Sequence, residues 1–323
     1  MPITFKIIMK NNTKILIIGF GSIGQRHYRN LRKLGFGDVY VYDVAPIKDK
    51  KIKTVDNIDQ VILKLFKVVF VCNPNNMHMK TALSAAKAGC HLFIEKPLSH
   101  NLSGIDKLKK ICEKNKLTVM VGHNMRFHPC LQFIHNYLNK NKLGKIYSIQ
   151  FESGYYLPFW RPGADYRKNY AAKKETGGGI ILDDIHSFDL LFWLNNFKEI
   201  REAKFIYDRV SDLQIETEDF SLASFKFKNK VLGLISCDYL QQSYTWRCKV
   251  IGEKGNIEWD FNNNIVWLRD NKGSKKLFEV KNFDFNNVYL DEVKYFLSNL
   301  GRGKKINDIK DSQTVLKYCV ERK

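Results

Sequence analysis

The sequence predicts two domains: an α/β domain built on a parallel sheet, then an α+β domain with a large, mostly antiparallel sheet that is open on one face. A length of 323 residues favours two domains over one. In residues 1–125, short apolar runs alternate with helical segments, as in βαβ units. From residue 145 onward, strand-like runs follow one another and are separated by turn signals. We therefore expect domains of residues 1–125 and 126–323.

Five apolar runs predict the strands of the parallel sheet, and their composition suits a sheet covered on both faces. They are "KILIIG" (14–19), "VYVYD" (39–43), "VVFVC" (68–72), "HLFIE" (91–95) and "LTVMVG" (117–122). The Ala-rich segment 77–89 is predicted to be a helix that ends at Gly89.

The second domain is predicted from a longer series of strands. These are "KIYSIQFESGYY" (145–156), "AKFIYDRV" (203–210), "FSLASFKFK" (220–228), "VLGLISCDYL" (231–240), "RCKVIG" (247–252), "NIEWDF" (256–261) and "NIVWLRD" (264–270). A late helix is predicted over residues 285–303. A sheet with one open face leaves apolar side chains to cover, so we expect a homodimer or homotetramer.

The composition argues against several classes of protein. The net charge is +20, from 53 Lys and Arg against 33 Asp and Glu, but the lysines are spread over many segments, so we expect no nucleic-acid partner. Seven widely spaced cysteines without a CxxC pair argue against a zinc site or disulfide scaffold, so we expect no metal and a reducing, cytoplasmic location. No apolar run approaches the roughly 20 residues of a membrane span, and the N-terminus does not resemble a secretory signal.

A glycine-rich loop lies between the first strand and a helical segment, in "KILIIGFGSIGQRH" (14–27). Gly19 permits the tight turn, Gly21 admits a pyrophosphate close to the backbone, and Gly24 lets the helix and the strand pack closely. Ser22 and Ile23 complete the loop. This is the fingerprint of a Rossmann domain; the alternative is a glycine turn in an ordinary α/β protein. His27, in the helix that follows, is interpreted as a packed residue.

Asp43 ends the second strand, where a carboxylate can accept hydrogen bonds from a ribose hydroxyl and would repel a 2′-phosphate. We therefore expect NAD, with NADP less favoured, although Lys48 lies nearby. The loop "CNPNNMH" (72–78) follows the third strand, at the edge where open α/β sheets bind ligands. Asn73, Pro74 and His78 are candidates to line the cofactor, and His78 could equally be a helix-start residue.

Two further segments carry candidate catalytic groups. In "HLFIEKPLSH" (91–100) a buried strand leads to Lys96, which could be a polar loop tip or a catalytic lysine at the rim of the sheet. In "GGGIILDDIHSFDLLFWL" (177–194) the residues from about 180 have helical periodicity, and Asp183 and His186 share a helix face. Taken alone, Asp183 could serve only the helix dipole and His186 could be solvated.

Together these motifs resemble the Gfo/Idh/MocA family of nicotinamide-dependent oxidoreductases of sugars and cyclitols. The resemblance rests on the glycine loop, "NPNNMH", "EKPLS", "GHNMRFHP", "DYRKNY" and "GGGIILDDIH", and it covers nearly the whole chain. It implies a catalytic group of Lys96, Asp183 and His186. Many members place the histidine four residues after the aspartate, whereas here it is three, closest to a branch with "LDLSHEID"-like segments. The resemblance also implies that Glu95 orients the nicotinamide ribose and that the Lys96–Pro97 bond is cis.

The implied reaction is hydride transfer between NAD(H) and a secondary alcohol or ketone of a sugar-like substrate. Substrate contacts are expected from 122–129 and 155–170, with Asn124, Arg126, Trp160, Arg161, Tyr166 and Arg167 as candidates. Several arginines favour an anionic or nucleotide-linked sugar. The alternatives are a dinucleotide-binding sensor or scaffold without turnover, which would not need Lys96 and His186, and a basic nucleic-acid binder.

Overall fold

The computed structural model describes residues 13–302 and 308–322. These residues divide into two compact units, one from 13–124, 285–302 and 308–314 and the other from 125–284 and 315–322. The first unit therefore includes residues 285–302 and 308–314, which the expected domain of 126–323 would place in the second. The predicted fold class is confirmed, with a parallel sheet between helices and a larger, mostly antiparallel sheet.

The first unit is built on six parallel strands in the order β3-β2-β1-β4-β5-β6. The strands are β1 (Ile15–Ile18), β2 (Val39–Tyr42), β3 (Lys53–Thr54), β4 (Val68–Val71), β5 (His91–Ile94) and β6 (Val119–Val121). The helices are α1 (Ser22–Lys33), α2 (Gln60–Leu63), α3 (His78–Lys87), α4 (Ile105–Lys114) and α8 (Asn286–Ser298). Every residue of β1, β4 and β5 is buried, as expected for central strands of a sheet with two covered faces.

The second unit is built on eight strands in the order β14-β13-β12-β11-β7-β10-β9-β8. They are β7 (Ile146–Gly154), β8 (Ile200–Asp208), β9 (Phe220–Phe227), β10 (Leu232–Asp238), β11 (Thr245–Gly252), β12 (Gly255–Asp260), β13 (Ile265–Asp270) and β14 (Gly273–Glu279). All neighbours are antiparallel except β7 and β10, which are parallel. The helices are α5 (Pro129–Asn139), α6 (Ile180–Asp183) and α7 (Ile185–Leu194), and the last helix, α9 (Ile309–Glu321), begins in the first unit and ends in the second.

The period-two pattern of β9 shows how one face of the large sheet is buried. Ala223, Phe225 and Phe227 are buried, whereas Leu222 on the opposite face is 44% exposed. On the buried face Phe192 of α7 packs edge-on against Phe225, with 5.2 Å between ring centroids. Among the residues that the model describes, no helix is long and apolar enough to cross a membrane, and no cluster of side chains could hold a metal ion.

Candidate active site

The glycine loop has the backbone geometry that a dinucleotide requires. Gly19 has φ +96°, and a Cβ there would lie 2.5 Å from the backbone N of Asn73. A Cβ on Gly24 would overlap the carbonyl oxygen of Gly19, so helix α1 can approach β1 only without one. A Cβ on Gly21 would meet no atom of the described residues within 4 Å, which leaves room for a ligand on the outer side of the loop. Helix α1 begins at Ser22 with no acidic residue in its first turn, so the loop, Ser22 and Ile23 fit a pyrophosphate.

The carboxylate of Asp43 is fixed beside this loop. Its Oδ2 accepts a hydrogen bond from the backbone N–H of Phe20 at 2.5 Å, and its Oδ1 accepts one from Ala45 at 2.8 Å. The first bond joins the end of β2 to the glycine loop. A carboxylate has about four acceptor positions, so Asp43 retains capacity for a ribose hydroxyl.

The loop after β4 is tied to the segment after β5. Asn73 donates through its side-chain amide to the Thr81 hydroxyl at 2.8 Å, and Pro74 precedes the 3₁₀ turn Asn75–Met77. His78 is 1% exposed. Its Nδ1 lies 2.7 Å from the carbonyl oxygen of Pro97, and its Nε2 lies 2.8 Å from that of Asn73. His78 therefore lies buried between two loops and has a backbone carbonyl at each ring nitrogen.

Glu95, Lys96 and Pro97 follow β5, and the Lys96–Pro97 peptide bond is cis, as the resemblance implies. Glu95 is 8% exposed, and its Oε1 lies 2.6 Å from Nε2 of the fully buried His27. Its Oε2 accepts a hydrogen bond from the backbone N–H of Lys96 at 3.2 Å. The Lys96 side chain is half-buried. Thus His27, interpreted from sequence as a packed residue, also bonds the glutamate next to the candidate catalytic lysine.

In the second unit the glycine run 177–179 lets helix α6 begin against two neighbouring segments. A Cβ on Gly178 would overlap the carbonyl oxygens of Tyr170 and Ala171, and Gly179 has φ +100° and packs against the Glu218 carboxylate. The single helix predicted from about residue 180 is two helices, because the chain departs from helical geometry at Asp184 (φ −90°, ψ 27°). Asp183 ends the first helix and His186 lies in the first turn of the second.

Three tyrosine hydroxyls surround the carboxylate of Asp183. Tyr155 and Tyr170 donate to it at 2.5 Å each, and Tyr239 donates at 3.2 Å. Tyr155 and Tyr239 reach the same place because β7 and β10 are parallel, with Gly154 paired to Asp238. Burial, together with the charge of Asp183, holds the pKa of Tyr155 and of Tyr239 well above the ordinary tyrosine value, so both phenols stay protonated and donate.

His186 lies half-buried beside Trp246, with 6.1 Å between the ring centroids. The indole N–H of Trp246 donates to the hydroxyl of Ser187 at 3.1 Å, and Ser187 lies next to His186 in α7. The ring of Trp246 is thereby fixed against the start of α7. The side chain of His186 consequently lies beside an indole ring that is held in place by the same helix.

The predicted substrate residues have varied environments. Arg126 is buried and donates two hydrogen bonds to Asp189, at 2.8 and 2.6 Å. Its positive charge is therefore paired with a carboxylate inside the second unit. Asn124 is also buried. The other candidates lie in residues 155–170. Trp160 stacks on Tyr155 with 4.2 Å between ring centroids, and Arg161 lies over the ring of Tyr170 at 5.8 Å. Arg167 pairs with Asp165, and the hydroxyl of the half-buried Tyr166 accepts a hydrogen bond from the N–H of Gln214.

A parallel sheet with this glycine loop and a fixed acid after the second strand defines a dinucleotide-binding protein of the Rossmann class. The chain belongs to the Gfo/Idh/MocA family: the model described as "Oxidoreductase family, NAD-binding Rossmann fold" matches residues 13–123, and the family's C-terminal domain matches residues 131–258. It is therefore an oxidoreductase whose cofactor is NAD, as the sequence predicted.

Relatives and solved structures agree with this assignment. The chain is 26% identical over 311 residues to a myo-inositol 2-dehydrogenase of Thermotoga maritima, covering 90% of this chain and 89% of the relative. It is similar to the crystal structure of a probable dehydrogenase from Thermotoga maritima, with a TM-score of 0.77, 25% identity, and coverage of 95% and 94%. A levoglucosan dehydrogenase in complex with NADH and L-sorbose shares the fold, with a TM-score of 0.83, 16% identity and 96% coverage of both chains.

Proposed function

We propose that this enzyme transfers a hydride between NAD(H) and a secondary alcohol or ketone of a sugar or sugar derivative. The observation that carries the proposal is the similarity to a named myo-inositol 2-dehydrogenase over 90% of the chain. A levoglucosan dehydrogenase is a second similar protein, 28% identical over 129 residues. Both act, by their names, on polyhydroxylated rings, and such a ring offers several secondary alcohols.

The proposed roles follow from the chemistry of the residues. Bound NAD⁺ supplies the hydride acceptor. We assign proton removal from the substrate hydroxyl to His186, because an unperturbed imidazole titrates near pH 6.5. We assign stabilisation of the negative charge that develops on the same oxygen to Lys96, whose ammonium can donate hydrogen bonds to it. Both assignments are carried over from the family motif to matching residues of this chain.

Asp183 is assigned a different part in the same group. Its carboxylate accepts from Tyr155, Tyr170 and Tyr239, so it is already occupied by strong donors. We propose that Asp183 orients these hydroxyls and leaves the proton transfer to His186. This accounts for its presence in the catalytic group without asking a carboxylate that already accepts three hydrogen bonds to act as the base.

The substrate is proposed to be anionic or nucleotide-linked. Arg161 is an exposed cation on an aromatic segment, and Trp160 is 46% exposed and stacked on Tyr155. Arg167 is also exposed but is paired with Asp165, so Arg161 is the first candidate for an anionic group. An indole supported on a neighbouring ring suits the apolar face of a sugar, and arginines suit carboxylate or phosphate oxygens. Because Arg126 is paired with Asp189, we assign it to the support of the site.

We also propose a cytoplasmic location.

The test begins with a panel of neutral sugars, cyclitols, carboxylated sugars and sugar nucleotides. Turnover of each compound is measured by the change in NADH absorbance. With the best substrate, Lys96→Met should lower turnover by about 10²–10³-fold and His186→Ala by about 10²–10⁴-fold, while NADH affinity measured by calorimetry changes little. The matched control is Lys87→Met, an exposed lysine at the end of α3, which should retain full turnover. Near-normal turnover of Lys96→Met would remove the centre of the proposal.

A further inference from the structure

We propose that two buried histidines, His27 and His78, are positioning residues that act through Lys96 by holding the residues before and after it. The proposal rests on the proposed function, since it takes Lys96 as the group that stabilises the reacting oxygen. All of the contacts that carry it lie within the first unit.

His27 holds the residue before Lys96. It lies in α1 with no exposed surface, and its ring packs against Phe70 and Phe93 with centroids 5.3 and 5.0 Å away. Its Nε2 is 2.6 Å from one carboxylate oxygen of Glu95, and the other oxygen accepts from the backbone N–H of Lys96. The imidazole, the carboxylate and the Lys96 amide therefore form one chain of hydrogen bonds.

The Glu95 carboxylate has little room to turn away from this arrangement. A Cβ built on Gly122, at the end of the neighbouring strand β6, would lie 3.1 Å from its Oε2. The backbone at residue 122 thus packs directly against the carboxylate. A side-chain rotation that released His27 would also break the bond to the Lys96 N–H, so the His27 contact and the Lys96 backbone are linked through one carboxylate.

His78 holds the residue after Lys96. Its Nδ1 is 2.7 Å from the carbonyl oxygen of Pro97, and its Nε2 is 2.8 Å from that of Asn73. A neutral ring donates to one of these carbonyls and a protonated ring donates to both. Burial lowers the pKa of His78, whereas the two carbonyl contacts act in the opposite direction. Either contact ties the segment after β5 or the loop after β4 to the start of α3.

Lys96 is therefore the middle residue of a tripeptide whose two neighbours each lie within hydrogen-bond distance of a buried imidazole. Such support matters for catalysis because a reacting group misplaced by about 1 Å can lose about 10²-fold in rate. A histidine that only stabilised the fold would change the amount of native protein and would not act selectively through Lys96. That difference is measurable.

The experiment uses amide side chains that reproduce one ring nitrogen and not the other. In His27→Gln the amide can replace Nε2, whereas in His27→Asn it is too short. In His78→Asn the amide can replace Nδ1 toward Pro97, whereas His78→Gln should retain only the Asn73 contact. We expect the mismatched variants, His27→Asn and His78→Gln, to lose about tenfold or more in kcat with little change in NADH affinity, and the matched variants to recover most of it.

The same substitutions are then made in the Lys96→Met background. If the histidines act through Lys96, the mismatched variants should add little further loss there, because groups that act as a unit are not additive. Amide hydrogen exchange at Lys96, measured without substrate, should be faster in His27→Asn than in His27→Gln. The control is His91→Asn, at the opposite end of β5, which should leave kcat unchanged.

The positioning role of the histidines and the proposed function would be contradicted by different results. Equal losses of kcat in the native and Lys96→Met backgrounds, or matched and mismatched variants with the same kcat, would overturn the positioning role of the histidines. Full turnover of Lys96→Met by itself would instead contradict the proposed function.

Discussion

Asp43 shows how one carboxylate can serve both the glycine loop and the choice of cofactor. It accepts from the backbone N–H groups of Phe20 and Ala45, so its charge is held close to the loop. A 2′-phosphate placed beside it would meet a fixed negative charge at short range. Asn in its place would keep one acceptor oxygen and remove the charge.

We expect the native enzyme to bind NADH more tightly than NADPH and Asp43→Asn to narrow that difference, mainly by improving NADPH binding. Asp43→Ala should narrow it too, with weaker binding of both cofactors, because the loop loses two acceptors. Calorimetry with both cofactors measures the effect, and Asp49→Asn, on the loop that follows β2, is the matched control. A native preference for NADPH would contradict the argument.

Residues of the candidate site differ in how well sequence could predict them. The glycines and Asp43 belong to one local pattern, so their arrangement follows from spacing alone. The tyrosines around Asp183 come from three separate segments and were missed, although the aromatic residues of 155–170 were a signal. The partner of Arg126 was missed because Asp189 is 63 residues away in sequence.

Two buried histidines at the starts of elements give the fold a predictable response to acid. His91 begins β5, and its Nδ1 accepts from the N–H of Thr118 at 2.9 Å. His128 precedes α5, and its Nδ1 accepts from the N–H of Cys130 at 3.3 Å. Burial lowers the pKa of each to about 4, from an ordinary value near 6.5. Both rings are therefore neutral acceptors in the native protein.

We expect this protein to lose stability as the pH falls from about 6.5 to about 4. In that interval the unfolded chain binds a proton at each histidine and the native protein does not, so protonation favours unfolding. At pH 4.5 the loss in free energy of unfolding that is due to His128 should approach about 2 kcal/mol, as an order of magnitude. His128→Asn keeps a helix-capping side chain without the titration, so its urea midpoint should change less between pH 7 and pH 4.5 than that of the native protein. An identical pH response would refute this.

At the level of elements, the central strands could be predicted, whereas two of the four edge strands could not. Strands β1, β4 and β5 are continuous apolar runs because helices cover both faces. Strands β3 and β14 were not predicted, since β3 is two exposed residues and β14 ("GSKKLFE") is an edge strand that begins with small and charged residues. The late helix was predicted over 285–303 and spans Asn286–Ser298, with residue 303 outside the described part of the chain.

The division of the whole chain also depends on contacts that a local pattern does not contain. Residues 285–302 and 308–314 belong to the first unit. There the amide of Asn286 donates to the side-chain oxygen of Asn30 at 2.8 Å, and Arg26 lies over the ring of Tyr289 at 4.4 Å. These pairs are more than 250 residues apart. The change of strand pattern near residue 145 comes after the point at which the chain enters the second unit, between residues 124 and 125. No comparable change of pattern marks its return to the first unit at residue 285.

The outer face of the large sheet leads to a prediction about the oligomer. Ile206, Leu222 and Leu234 on neighbouring strands β8, β9 and β10 are 73%, 44% and 46% exposed, and they line a concave surface with a volume of ≈ 1050 Å³. Toward the other edge, opposite charges pair across strands, including Arg247–Asp260 at 2.9 Å and Lys249–Glu258 at 3.5 Å. One half of this face is apolar, and the other half carries charges of both signs. Such a face is complementary to itself and can therefore pair with the same face of a second copy of the chain.

We therefore expect a homodimer or homotetramer that uses this face, because exposed apolar patches of this kind are rare on monomers. Leu234→Asp should favour the monomer, since a carboxylate would have to be buried at the centre of the interface without a partner. The matched control is Val61→Asp, an exposed apolar residue of α2 in the first unit, which should leave the mass unchanged. Light scattering at micromolar concentration measures both variants. A monomeric mass for the native protein would show that the apolar half of the sheet is tolerated in water.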